Sequence, residues 1–336
     1  MYLKNAWYVA GWENHLDDGL LARTICEEPI VFFRGESGEV GALEDRCCHR
    51  SAPLSVGRVR GDEIECGYHG LRFDREGKCT KIPTQKLVPP DACIRSYPVV
   101  IKNRWIWIWM GIQEHADEAL IPDYYFLDSD EWANIDDYFH VKCNYQSYID
   151  IQLDQTHSPY VHPKTLGNSA KLRVRPTVVR EDCTLKCERL FPNDEPPPLW
   201  AKAANIKGKG DSWNRWVYTP PATIMFDVGA AQAGTGALEG NREHGITVHN
   251  AHAITPETKT TTHHFWSNAR DFGLDDTSVQ KELGIIREVF REDVAICEAQ
   301  QVRINQFPDA QHIDVAMDHP TIQARKLLSK LIENEH

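Results

Sequence analysis

Basic residues are in the minority in this sequence, because 37 lysines and arginines stand against 49 aspartates and glutamates and the formal net charge is −12. Nucleic-acid phosphates and anionic lipid headgroups repel such a chain, so we expect no nucleic-acid and no membrane partner. No apolar run approaches the roughly 20 residues of a membrane-spanning helix. Internal repeats and low-complexity tracts are also absent, so neither a solenoid nor a disordered tail is indicated.

Disulfide frameworks are typical of short secreted chains, and ten cysteines spread over 336 residues do not fit that pattern. Residues 1–7 show no charged-then-apolar signal sequence, and we expect a cytoplasmic protein with reduced thiols. A hydrophobic content of 41% with ten tryptophans describes an ordered chain. Its length predicts about two domains.

The most informative motifs are Cys47-x-His49 and, after a gap of sixteen residues, Cys66-x₂-His69. Each short loop supplies one thiolate and one imidazole. This mixed ligation fits a 2Fe-2S centre of the Rieske type, in which cysteines hold one iron and histidines hold the other. A structural Cys₂His₂ zinc site is the alternative, but zinc fingers usually keep both cysteines in one loop and both histidines in another.

Residues 1–112 read as short strands joined by tight turns and predict a β-rich domain. Segments 30–33 and 40–43 flank a glycine-containing turn, which is typical of a hairpin. Trp105–Trp109 alternates tryptophan with isoleucine and predicts a strand buried on both faces. After Gly111 the chain becomes polar, so we place the domain boundary after Ile112.

Residues 113–336 mix helices and strands without βαβ alternation, which predicts a second domain of the α+β class with an antiparallel sheet. The pattern predicts helices over 144–158, 277–304 and 320–334, and strands over 214–228, 246–254 and 260–268.

Titratable side chains form a stripe in the first of these helices. Asp150, Asp154 and His157 would lie at i, i+4 and i+7 on one face, and burying them requires a metal or a polar network. Pro159 interrupts the helix, so that His162 can turn back toward the same place. Taken alone, the His-x₄-His spacing is a weak signal and is more often structural.

Asp293 is the one acid on the apolar face of the predicted helix 277–304, whereas Glu288 and Glu292 point elsewhere. A carboxylate that faces the core usually has a cationic partner. With two histidines it would complete the facial set of non-haem Fe(II) oxygenases. Periodicity alone leaves a helix-capping or salt-bridged role equally open.

Together the motifs resemble those of Rieske non-haem iron oxygenase α-subunits, essentially from end to end. Within that family the chain is most similar to the short group of vanillate O-demethylase, dicamba O-demethylase and toluenesulfonate methyl-monooxygenase oxygenase components. The resemblance is carried by Cys47-x-His49, Cys66-x₂-His69, Asp150-x₃-Asp154-x₂-His157-x₄-His162 and Glu292-Asp293.

The resemblance implies two metal centres in each subunit. The ligands of one 2Fe-2S Rieske cluster would be Cys47, His49, Cys66 and His69. The ligands of one mononuclear Fe(II) would be His157, His162 and Asp293. Asp154 would be the catalytic bridge that passes electrons and protons between a cluster histidine of one subunit and an iron histidine of the next.

The resemblance also implies a β-rich Rieske domain, a helix-grip-like catalytic domain and a ring-shaped homotrimer. Two electrons would come from NAD(P)H through a reductase with a ferredoxin-like domain or through a separate ferredoxin. With O₂ as co-substrate, the enzyme would insert one oxygen atom into a small aromatic acid. Hydroxylating a methoxy carbon would release formaldehyde, and hydroxylating a ring methyl would give an alcohol.

Four positions are candidate substrate contacts by the same resemblance. His252 matches a histidine that contacts the substrate's acidic group in the dicamba enzyme, and Asn250 shares its strand face. A hydrogen-bonded core histidine is the alternative for His252. Ile151 stands where many members have asparagine, and Met225 stands where the dicamba enzyme has a substrate-contacting asparagine. Cys48 replaces the usual proline between the first two cluster ligands, which does not change the ligand assignment.

Three other interpretations stay open. Ring dihydroxylation would use the same two centres and would differ only in its products. A Rieske electron carrier would have little use for the 225 residues after Gly111. A zinc-stabilised binding protein would lack visible colour and acid-labile sulfide.

Overall fold

Residues 1–335 are described by a computed structural model that divides into two compact units. The first unit contains residues 1–122 with 255–258 and Glu335, and the second contains 123–254 and 259–334. The boundary predicted from the sequence, after Ile112, lies ten residues before the boundary in the structure, which follows Pro122. The polar segment that follows Ile112 forms short turns bound to the first unit. There the Trp7 indole N–H donates to the Asp117 carbonyl (2.8 Å) and the Lys102 ammonium donates to the Ile121 carbonyl (2.9 Å).

Ten short strands form the first unit. They are β1 (Trp7–Trp12), β2 (Leu21–Ile25), β3 (Glu28–Arg34), β4 (Val40–Glu44), β5 (Arg58–Arg60), β6 (Glu63–Glu65), β7 (Arg72–Phe73), β8 (Cys79–Lys81), β9 (Val99–Lys102) and β10 (Trp105–Trp109). They pair as three antiparallel sheets of orders β1-β10-β9, β2-β3-β4 and β5-β6-β7-β8. The β-rich class is confirmed, and β10 is buried at all five positions as its alternation predicts.

A seven-stranded antiparallel sheet forms the centre of the second unit. Its strands are β11 (Ala133–Val141), β12 (Thr177–Glu181), β13 (Thr184–Asp194), β14 (Gly210–Thr219), β15 (Thr223–Gln232), β16 (Gly245–Pro256) and β17 (Thr262–Arg270). The sheet order is β11-β17-β16-β15-β14-β13-β12. Sheet and helices together confirm the α+β class.

Six helices accompany this sheet. They are α1 (Tyr145–Leu153), α2 (Ser158–Val161), α3 (Pro198–Ala203), α4 (Thr277–Leu283), α5 (Ile286–Gln306) and α6 (His319–Glu333). Phe290 of α5 packs edge to face on Trp266 of β17, with ring centroids 4.8 Å apart. The apolar stripe predicted for this helix therefore faces the sheet, and Asp293 lies on it with 3% exposure.

Two of the predicted helices differ from their patterns: one ends early, and the other is divided in two. Helix α1 ends at Leu153, and Asp154 leaves it with extended backbone (φ −80°, ψ 116°). Asp150 therefore does not share a stripe with His157 and is ion-paired with Arg325 of α6. The predicted helix 277–304 is divided into α4 and α5. Within residues 1–335, no helix combines the length and the apolar character needed to cross a lipid bilayer.

Two candidate metal centres

The two loops of the first unit that carry the Cys/His motifs have the same backbone hydrogen-bonding pattern. The Cys47 N–H donates to the Ala52 carbonyl (2.8 Å), and the Ser51 N–H donates to the Cys47 carbonyl (2.9 Å). In the other loop, Cys66 donates to the Leu71 carbonyl at 2.8 Å and the Gly70 N–H donates back to Cys66 at 3.0 Å. The fifth residue of each turn, Ser51 or Gly70, has a positive φ (56° and 72°). Two equivalent turns thus present their ligands in the same way.

In these loops the cysteines are buried and the histidines are exposed. Cys47 and Cys66 are each 2% exposed, and their thiols interact. Burial, which is the largest cause, raises the pKa of the Cys47 thiol to about 11. His49 and His69 are exposed, with ring centroids 4.6 Å apart. Two inner thiols and two outer imidazoles are the donor set of a Rieske cluster, so these residues fit that group.

The second candidate centre lies between α1, α2 and α5. His157 is in the turn after α1, His162 directly follows α2, and Asp293 lies on the buried face of α5. The structure brings these three together, with one ligand atom of each lying within 4.8 Å of the others. His157 Nε2 lies 3.4 Å and His162 Nε2 lies 2.9 Å from the same Asp293 oxygen, Oδ1.

Each triad histidine also faces a second carboxylate through its other nitrogen. His162 Nδ1 donates to Glu292 Oε2 at 2.6 Å, and His157 Nδ1 lies 3.7 Å from Asp154 Oδ2. Asp154 is itself held, because its Oδ1 accepts from the Thr156 N–H (2.7 Å) and hydroxyl (2.6 Å). Such outer carboxylates fix the ring orientation and tautomer of metal-binding histidines.

The charges at this centre favour an ionised carboxylate. Burial would raise the pKa of Asp293, but bonding to His157 and His162 outweighs it, and the pKa is lowered. Burial would likewise lower the pKa of His157, but the facing carboxylates of Asp154 and Asp293 raise it to about 9. Two imidazoles and one buried carboxylate that converge in this way fit a mononuclear Fe(II) with open positions.

A pocket opens beside the triad, and three of the four predicted substrate contacts line it: Ile151, Asn250 and His252. Met225, the fourth, is not among the residues that line this pocket. Side chains alternate along β15, and it is Phe226 and Val228 that reach the pocket.

His252 is engaged in a buried polar chain. Its Nδ1 lies 2.9 Å from His264 Nε2, and His264 Nδ1 lies 3.0 Å from the Tyr148 hydroxyl. Burial lowers the pKa of His252 to about 3, so the ring is neutral. Asn250 is held as well, because its Oδ1 accepts from Asn268 (2.6 Å).

Sequence reasoning missed several polar residues in or beside this site, among them Gln152, which donates to Asp293 Oδ2 at 3.3 Å. Glu292 was expected to point elsewhere, but it bonds His162. Lys171 lines the pocket from a 3₁₀ turn, where no periodicity could reveal it. Arg189 did carry a signal, because it stands on the otherwise apolar face of β13 between Cys187 and Phe191.

Comparison with known proteins assigns both halves of the chain. The family model described as the Rieske [2Fe-2S] domain matches residues 6–98. The model described as the vanillate O-demethylase oxygenase C-terminal domain matches residues 141–334.

Two relatives and one solved structure illustrate the similarity. The toluene-4-sulfonate monooxygenase system iron-sulfur subunit of Comamonas testosteroni is 40% identical, over 100% of this chain and 99% of that protein. A vanillate O-demethylase oxygenase subunit from a Pseudomonas species is 36% identical, over 100% and 96%. Dicamba monooxygenase bound to 3,6-dichlorosalicylic acid superposes with a TM-score of 0.93 at 30% identity, covering 99% of this chain and 98% of that one.

Proposed function

Because this chain belongs to the Rieske oxygenases whose catalytic domain is of the vanillate O-demethylase type, we propose that it monooxygenates a small aromatic acid at a methoxy or ring-methyl carbon. It is the oxygenase component of such a system and carries a Rieske cluster and a mononuclear iron. Overall, one substrate molecule, one O₂, two electrons and two protons give one hydroxylated product and one water. A hydroxylated methoxy group then loses formaldehyde, and a hydroxylated methyl group remains an alcohol.

The convergence of His157, His162 and Asp293 beside a pocket with apolar and polar walls carries the proposal. These three residues would hold the iron, which when bound supplies O₂ activation. Glu292 accepts a hydrogen bond from His162 Nδ1 and so fixes which nitrogen of that ring carries a proton, and the Asp154 carboxylate faces His157 Nδ1 from 3.7 Å. The pocket orients the substrate, and its buried apolar wall excludes water from the reacting carbon.

Electrons would come from NAD(P)H by way of a reductase with a ferredoxin-like domain, or of a separate ferredoxin, and we propose that the donor docks on the cluster face of the first unit. His49 and His69 are exposed there, and Tyr68 is 61% exposed with its ring 3.8 Å from that of His69. An exposed aromatic beside a redox group is typical of a surface that binds a protein partner. We place the reaction in the cytoplasm, because none of the ten cysteines, all within the described residues, forms a disulfide.

We further propose a homotrimer in which the cluster face of one subunit docks on the catalytic unit of the next. The second unit, which we call the catalytic unit, has a broad groove in which Asp154 and His157 are accessible. The wall of this groove includes Phe307, whose side chain is 62% exposed. In this arrangement Asp154 would bridge a cluster histidine of the neighbouring subunit and His157.

Product analysis tests the reaction. The iron-loaded protein, a surrogate ferredoxin reductase and NADH are incubated under ¹⁸O₂ with vanillate, 4-methoxybenzoate, 4-methylbenzoate or 4-toluenesulfonate. We expect one labelled oxygen atom in a hydroxymethyl product, or formaldehyde in equal amount to a phenol. A cis-diol with two labelled atoms would instead establish ring dihydroxylation, and NADH consumption without any oxygenated product would contradict the proposal.

Glu292→Gln should weaken iron binding by about 10- to 100-fold while the cluster stays intact, because the amide is a poorer acceptor for His162 Nδ1–H. Iron titration of the apoprotein, followed by dialysis and metal analysis, measures the change. Glu288→Gln is the matched control, since this side chain lies on the same helix and pairs only with Arg291 at the surface. Equal iron affinity in both variants would remove Glu292 from the site.

A further inference from the structure

Two of the cations buried in the second, catalytic unit lie beside the iron ligands and have no ion-pair partner among residues 1–335: Lys171 and Arg189. Lys171 is 5% exposed and Arg189 is 1% exposed. Within residues 1–335 the hydrogen bonds of both side chains go to neutral oxygens alone. Burying a charge is costly unless an opposite charge or a full set of hydrogen bonds compensates it.

The Lys171 ammonium is part of the pocket beside the iron ligands. It donates only to neutral groups, Ser158 Oγ at 3.3 Å and Gln155 Oε1 at 3.4 Å. Both of these residues line the pocket, and Ser158 directly follows the ligand His157. An ammonium has three donor hydrogens, so these two long contacts do not saturate it.

Arg189 lies behind Lys171 and is even less satisfied. Its Nη1 donates to the Lys171 carbonyl at 3.4 Å, while its Nε and Nη2 have no hydrogen-bond partner among the described residues. Asn214, directly across the sheet from Arg189, donates to Gln155 (2.9 Å) but leaves its Oδ1 unpartnered. Unmet polar atoms therefore cluster at one corner of the pocket.

The two charges also disfavour each other. Burial first, and then the like charge of Arg189, lowers the pKa of Lys171 to about 7. Burial likewise lowers the pKa of Arg189 to about 10. Asp154 and Asp293 favour the charged lysine only from a distance, because neither is bonded to it. An anion bound against Lys171 would offset both the burial of its charge and the repulsion from Arg189.

We propose that Lys171, supported by Arg189, is the subsite that binds the carboxylate or sulfonate of the substrate, an inference that rests on the proposed function. The aromatic ring then packs on the apolar side chains of the same pocket, among them Trp200, Phe226 and Phe290. His252, which the resemblance connects with the acidic group, is neutral and already bonded to His264. Charge recognition therefore lies with Lys171, and His252 supplies at most one neutral contact.

The test compares acids with a neutral analogue of the same shape. Calorimetric titration of the iron-loaded wild type with 4-methylbenzoate, 4-toluenesulfonate and 4-methylbenzamide should show each acid binding at least about tenfold more tightly than the amide. Lys171→Met should lose at least about tenfold in acid affinity and leave the amide within about threefold. Lys164→Met, an exposed lysine seven residues earlier, should match wild type.

Thermal melts give a second, independent measurement. Replacing an unpaired buried cation with an apolar side chain of similar length should not lower the melting temperature of the ligand-free protein. Addition of 4-toluenesulfonate should raise the melting temperature of wild type and not of Lys171→Met. Parallel loss of acid and amide affinity with a lower melting temperature would make Lys171 a merely structural residue and overturn the subsite.

The wild-type affinities decide the question even if Lys171→Met does not fold, because equal binding of acid and amide would by itself overturn the subsite. Product formation separates this proposal from the oxygenase function. Turnover of neutral aromatics alone would overturn the subsite and leave the oxygenase standing. Tight acid binding without any oxygenated product would overturn the function and leave the anion subsite standing.

Discussion

Asp154→Asn is expected to retain both metal centres and to lose turnover by about 100-fold or more. The side chain accepts two hydrogen bonds from Thr156 through Oδ1 and presents Oδ2 to His157 Nδ1. An asparagine that keeps the bonds to Thr156 must turn its NH₂ toward the histidine. His157 Nδ1 then faces an amide donor in place of the carboxylate oxygen that lies 3.7 Å away, and the proposed bridge loses its charge, while all of the proposed ligands remain.

Metal analysis, the Rieske absorbance and steady-state product formation together measure this outcome. Asp314→Asn is the matched control, because it removes the same charge from an exposed position in the same groove. Loss of iron in Asp154→Asn would make Asp154 a ligand and would put Asp293 in doubt. Normal turnover would eliminate the bridge.

Two inactive variants should restore activity when they are assembled together. Cys66→Ala is expected to lose the cluster and keep the mononuclear iron, and Asp293→Ala is expected to do the reverse, because the two ligand sets lie in different units. Each homo-oligomer should have no measurable turnover. If electrons cross between subunits, hybrids co-expressed with two different affinity tags should recover activity.

The size of the recovery is itself informative. In a random cyclic trimer about a quarter of the interfaces pair an intact cluster with an intact iron, so about a quarter of wild-type activity should return. Hybrids as inactive as the parents would contradict transfer between subunits. A normal cluster in Cys66→Ala would contradict the cluster ligand assignment instead.

Much of the fold could be predicted because its signals are local. The alternation in Trp105–Trp109 predicted a strand buried on both faces. The apolar stripe of α5 predicted that Asp293 lies on the buried face of that helix. Ligand order and spacing identified the two centres. Their residues are brought together in the structure as two loops and one triad.

What could not be predicted depends on backbone geometry and on distant partners. Helical periodicity grouped Asp150 with Asp154, but the chain leaves the helix at Asp154, and Arg325 of α6 takes Asp150. Helical periodicity predicted that Glu292 of α5 points away from the site, but its long side chain reaches around the helix to His162. Phe226 and not Met225 lines the pocket, because a shift of one position along a strand reverses the face of the sheet.

The first unit is not continuous in sequence, and this affects the order in which the protein can mature. The Cys26 and Glu27 N–H groups donate to the carbonyls of Pro256 and Glu257, both at 2.9 Å, and the Thr255 hydroxyl donates to the Val9 carbonyl at 2.7 Å. N-terminal domains generally fold first as the ribosome releases them. Here the cluster-binding half lacks its last hydrogen-bond partners until residues 255–258 have been synthesised. The hydrogen bonding of the first unit is therefore completed only after most of the second unit has been synthesised, so the two units cannot mature strictly one after the other.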